Sequence, residues 1–159
     1  NCGLWCGTMS GSTGPTGRPI SLLTFALQAD FWPDPYSFKL FNVFIHMANA
    51  ALVFLILRLI LKRLNPSLPY FYIALFSAVL WAVWPLQVSS VLYVIQRMVL
   101  LSSFFVLLGV LFYLFFRIRL EADWKGEFNK WLVLCVGLSI LGLLAIYSKE
   151  SGVLLLVYV

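Results

Sequence analysis

Charge is scarce in this 159-residue sequence. Charged residues make up 11%, with 11 Lys and Arg against 6 Asp and Glu. A soluble globular domain carries ~25% charged residues, so the composition excludes an ordinary water-soluble domain. Histidine occurs once, at His46, and a single histidine implies no metal site. Cysteine occurs three times. Cys2 and Cys6 are spaced C-x3-C without a second pair or a nearby histidine, which is no zinc signature. They read equally as a disulfide in an oxidising compartment or as two spare thiols. Cys135 lies in an apolar run and reads as a small packing residue. No basic run is interleaved with aromatics, so the net charge of +5 reads as topogenic charge and not as a nucleic-acid surface. The stretch from Asn1 does not read as a cleavable signal peptide.

Apolar residues are abundant instead. They form 62% of the chain, and the mean hydropathy is +0.97. Several runs are long and free of charge, which predicts an all-α, polytopic transmembrane helical bundle. The chain begins at Asn1 in a polar glycine-rich stretch and stops at Val159 inside GVLLLVYV. It therefore reads as an internal fragment of a longer protein.

The spacing of the runs predicts about four complete spanning helices, over 38–61, 68–84, 97–116 and 131–147, with a further helix starting after Gly152. Residues 1–37 read as an outer loop. Within it, PISLLTFALQA (residues 19–29) is too short to span and predicts a short interfacial or re-entrant helix with Pro19 in its first turn. DFWPDPYS reads as a turn, and its Asp30 and Asp34 as structural residues.

Lys and Arg set the orientation. Arg58, Lys62, Arg63, Arg117, Arg119, Lys125 and Lys130 are seven of the eleven basic residues, in two loops on one side. The positive-inside rule makes that side cytoplasmic. The outer side then receives Arg18, Lys39, Arg97 and Lys149. Lys39 reads as a snorkelling lysine. Arg97, Lys149 and Arg18, with Glu150, converge on the outer surface from three separate stretches, which marks a site or a satisfied pair or, equally for any one cation, snorkelling to lipid headgroups. Asn42, His46 and Asn49 recur at i, i+4 and i+7, on one face of the first spanning helix. Such a stripe faces protein or water, as interhelical hydrogen bonding or as part of a site.

Four stretches taken in order carry a resemblance: GRPISLLTFAL, FKLFNVFIHMANAALVFLILR, WPLQVSSVLYVIQRMVLLSSFFVLLGVLFYL and LAIYSKESGVLLL. Together they span roughly residues 17–159. They resemble the polytopic GT-C-fold glycosyltransferases that carry tetratricopeptide repeats after the membrane domain. Those proteins are similar to the dolichyl-phosphate-mannose protein O-mannosyltransferases and their bacterial relatives. The resemblance implies a GT-C-like bundle in a bacterial inner membrane with its active face in the periplasm. It implies sugar transfer from a polyprenyl-phosphate carrier to an acceptor hydroxyl on a protein or glycan. The partners are then a lipid-linked sugar donor, that acceptor and membrane lipids, with no nucleic acid. It places the catalytic carboxylate in the first outer loop, upstream of Asn1. No cofactor is assignable, and the residues leave open whether a divalent metal takes part.

On this reading Arg97, Lys149 and Arg18 bind the donor phosphate, because cations neutralise charge growing on its oxygens as the sugar departs. Glu150 orients a cation, and His46, Asn49, Gln96 and Tyr93 are supporting polar residues. The chain departs from the family at Trp84-Pro85, where the family often has His-Pro. It therefore reads either as a divergent enzyme or as a degenerate copy. The alternative function is a non-catalytic membrane protein or a transporter that binds lipid-linked sugar precursors. A transporter needs a polar path across the membrane, and the third and fourth spans carry few polar residues away from their outer ends apart from Ser139.

Overall fold

The structure is a computed structural model that describes residues 19–28, 35–122 and 128–159. Among the described residues the regular elements are all helical. Helix α1 is Pro19–Ala26, α2 is Pro35–Leu64, α3 is Tyr70–Val83 and α4 is Leu86–Leu92. A 3₁₀ turn, Val94–Gln96, leads into α5, Arg97–Ala122. Helix α6 is Phe128–Ser148, followed by a second 3₁₀ stretch, Glu150–Leu154, and the short α7, Leu155–Tyr158.

Three helices are long and apolar enough to cross a membrane, with spans Tyr36–Leu64, Val94–Ile118 and Lys130–Ser148. Their 29, 25 and 19 residues exceed or approach the ~20 needed for a ~30 Å hydrocarbon core. Helix α2 opens on Pro35, whose missing N–H would have no partner in a first turn. It closes with Lys62 and Arg63 in its last turn, where cations oppose the negative end of the helix dipole.

The expected second span differs. Helix α3 has 14 residues, ~21 Å of rise, too short to cross alone. It stops because Pro85 pushes the preceding residue out of helical geometry; Trp84 has φ −58° and ψ 129°. Helix α4 restarts directly after Pro85, bent 64° from α3. The pair makes a fourth span only if both helices are counted together. Residues 85–96, between the expected second and third spans, thus hold a short helix and a 3₁₀ turn. The expected continuous helix after Gly152 likewise begins as a 3₁₀ stretch.

Packing follows small residues and buried leucines. Helix α2 packs on α3 and α5, and α5 packs on α6. Ile45, Leu100 and Leu101 form a buried cluster with Phe41 and Phe104 against it. Leu155 is 2% exposed and inserts its side chain against Gly109 of α5 and Gly142 of α6. Gly152 lies on the Ala145 backbone so closely that a Cβ there would fall 2.5 Å from the Ala145 carbonyl oxygen. The return of the chain after α6 depends on that contact. Phe44, Met47, Phe76, Leu132 and Ile140 are exposed on the perimeter. So continuous an apolar exterior suits lipid and not water.

Candidate functional site

Helices α2 and α5 run in the same direction, and Arg97 stands at the start of α5 beside the first turns of α2. It is fully buried. Its Nε donates to Asn42 Oδ1 (3.2 Å), Nη1 to the Thr24 carbonyl (3.3 Å) and Nη2 to the Phe38 carbonyl (3.1 Å). The guanidinium carbon lies 4.4 Å from the ring centroid of Phe25, 4.7 Å from Phe41 and 5.5 Å from Phe38. A buried cation is costly unless paired. Here oxygen dipoles and aromatic faces do the pairing, through charge-assisted hydrogen bonds and cation–π contacts. The Thr24 carbonyl lies in the last turn of α1, where carbonyls lack intrahelical partners. One side chain therefore ties α1 and α2 to α5.

Arg97, expected from the sequence to offer its charge to a lipid phosphate, is bonded here to protein oxygens. In this arrangement its donors are turned to protein oxygens and its surface is enclosed. It holds α1 and the first turns of α2 against the start of α5.

The polar stripe of α2 is engaged in the same way. Asn42 Nδ2 donates to the carbonyls of Val91 (3.3 Å) and Tyr93 (3.2 Å), at the end of α4, while its Oδ1 accepts from Arg97. Only one amide orientation satisfies both neighbours. His46 Nε2 lies 3.0 Å from the Ala82 carbonyl. A carbonyl only accepts, so Nε2 carries the hydrogen. The ring stacks on Trp81 at 5.4 Å. Asn49 Nδ2 donates to the Leu100 carbonyl (3.1 Å). His46 Nδ1 and Asn49 Oδ1 are buried without a hydrogen-bond partner among the described residues.

Ala82 and Val91 lie where α3 and α4 end, so their carbonyls are left over by the broken helix, while the Tyr93 carbonyl also accepts from the Gln96 amide (3.0 Å). Irregular backbone at membrane depth must be satisfied by protein. The stripe meets that need, in line with the interhelical reading of Asn42 and Asn49.

The remaining candidates lie at the same end of the bundle. Tyr93 is exposed, and Gln96 is half-buried in the turn before α5. Lys149 is a half-buried extended residue (φ −161°, ψ 144°) directly after α6, and Glu150 is exposed at the start of the 3₁₀ stretch. Trp84 is half exposed at the α3–α4 bend. Arg18, Asp30, Asp34, Cys2 and Cys6 lie outside the described residues. Among the described residues no three His, Cys, Asp or Glu side chains come together to hold a metal ion.

The partners Thr24, Phe25 and Phe41 went unsingled in the sequence, since backbone carbonyls and phenylalanines leave no mark in an apolar chain. Among the described residues the buried polar side chains lie in one half of the bundle: Ser21, Asn42, His46, Asn49, Arg97, Ser102 and Ser148. Ser139, nearer the middle of α6, is exposed and bonds back to the Cys135 carbonyl (2.8 Å), so it opens no polar route.

No family model, curated protein or solved structure matches the chain.

Proposed function

We propose that this chain belongs to a membrane glycosyltransferase of GT-C-like architecture that works on one face of the bilayer, moving a sugar from a polyprenyl-phosphate carrier to an acceptor hydroxyl. The observation that supports it is the one-sided distribution of polar structure. The buried polar residues, the bent α3–α4 pair and the Lys149–Glu150 segment share one end of the bundle, and the other half of the helices is packed with leucine and phenylalanine. Broken helices held by polar side chains accompany sites in membrane proteins. A transporter needs polar groups along the whole path, and this arrangement does not favour one.

In this reading Arg97 and Asn42 hold the outer end rigid and Lys149 meets the donor phosphate. The bond from the sugar's anomeric carbon to the phosphate oxygen breaks, and a bond to the acceptor oxygen forms. The acceptor proton passes to a carboxylate, which the resemblance places upstream of Asn1. The ammonium of Lys149 offsets charge growing on the departing phosphate. The charge rule supports a non-cytoplasmic, periplasmic orientation of this face. A second reading, carrier binding without transfer, draws on Trp84 standing where the family often has histidine.

The test uses the full-length protein in proteoliposomes with a polyprenyl-phosphate sugar and a hydroxyl acceptor. Sugar transfer supports the first reading. Saturable donor binding with no transfer supports the second, and neither binding nor transfer removes both.

A further inference from the structure

The half of the bundle away from Arg97 contains a cleft that the proposed transfer does not use. It lies between α2, α5 and α6 and has a volume of about 560 Å³. Leu55 and Leu59 of α2 and Leu111 and Phe112 of α5 line it, and Arg58 and Lys62 stand at its edge. Those two cations are four residues apart, so they lie on one helix face. Both are exposed, the Arg58 guanidinium lying 5.9 Å from the Phe71 ring of α3, and among the described residues no carboxylate lines the cleft. A smaller cleft of about 200 Å³ shares Leu59 and is lined by Arg63 and Arg117.

From Leu55 to Lys62 the helix rises ~10 Å, and a cleft of about 560 Å³ along it has room for a hydrocarbon chain. The apolar floor suits methylenes, and the cations at the Lys/Arg-rich end suit a phosphate. The charge rule puts this end in the cytoplasmic leaflet, where acidic lipids are attracted to basic residues next to a span.

We propose that the cleft between α2, α5 and α6 binds an acidic glycerophospholipid of the cytoplasmic leaflet, with an acyl chain against Leu55, Leu59, Leu111 and Phe112 and the headgroup phosphate on Arg58 and Lys62. This site is separate from the sugar-donor end and holds whether or not the protein transfers sugar.

The experiment is native mass spectrometry of the full-length protein, released from micelles doped with equal amounts of phosphatidylglycerol and phosphatidylcholine of matched chains. Two headgroup-facing cations give a preference for phosphatidylglycerol of about tenfold or more. Arg58→Gln with Lys62→Gln brings the two lipids to near-equal retention. Leu111→Trp, which fills the cleft and keeps the charges, lowers retention of phosphatidylglycerol itself. Equal retention by the wild type overturns the proposal, as does an unchanged preference in either variant. So does displacement of phosphatidylglycerol by an equal amount of polyprenyl phosphate, which would assign the cleft to the carrier. Circular dichroism and gel filtration of both variants separate lost binding from lost fold.

Discussion

Arg97 Nε donates to Asn42 Oδ1 across 3.2 Å, joining two fully buried polar side chains from different helices. Asn42 passes the connection on to the Val91 and Tyr93 carbonyls. The guanidinium passes it to Thr24 and Phe38. A single pair thereby organises α1, α2, the end of α4 and the start of α5.

Asn42→Leu removes one acceptor from Arg97 and the donor to two carbonyls. Buried polar groups left unsatisfied cost about 1–3 kcal/mol each, so this variant is expected to lose about 2–4 kcal/mol, since the Tyr93 carbonyl keeps its bond from the Gln96 amide. Reversible unfolding in mixed micelles measures it. A loss within ~0.5 kcal/mol, the range of an ordinary surface change, contradicts the network.

Arg97→Lys keeps the charge but replaces a planar fork by a point donor. An ammonium does not reach oxygens on α1 and at two places on α2 together while lying over three rings. The lysine variant is therefore expected to destabilise the protein nearly as much as Arg97→Met. Full rescue by lysine would show that charge alone matters at this position.

Much of this end was legible before the fold was known. The i, i+4, i+7 spacing of Asn42, His46 and Asn49 requires a common face, and Pro85 announces a break at Trp84. What the stripe faces was not legible, because a carbonyl becomes a free acceptor only where a helix stops. Arg97 was conspicuous for its place in the chain. A cation in a sequence points to an anion, however, and its partners here are carbonyls, an amide oxygen and phenylalanine faces. The 68–84 run has the composition of one span, and its hydropathy carries no sign that the chain turns 64° and continues as a second short helix.

Gly152→Ala places a Cβ against the backbone carbonyl and amide of Ala145 and Ile146, which cannot rotate away. Gly142→Ala meets only Leu155 Cδ2 at 3.8 Å, ordinary contact. The first substitution is expected to cost several times more stability than the second, by about 1–3 kcal/mol as overpacking does. Thermal unfolding of the two variants side by side gives the ordering, and equal midpoints contradict the close approach.

His46→Ala uncaps the Ala82 carbonyl and removes the stack on Trp81. The expected loss is about 1–3 kcal/mol, with His46→Gln recovering part of it through its amide donor. Faster amide exchange near Ala82 in the alanine variant locates the effect at the end of α3. Unchanged exchange there contradicts the cap.

The central functional claim assigns phosphate contact to Lys149 and positioning to Arg97. Sugar transfer by full-length Lys149→Ala in proteoliposomes, measured beside its unfolding midpoint, tests that division most directly. The account predicts transfer lost by about tenfold or more, as for removal of one charge-stabilising donor, with the midpoint unmoved. Wild-type transfer by Lys149→Ala, or a loss that tracks a fallen midpoint, contradicts it.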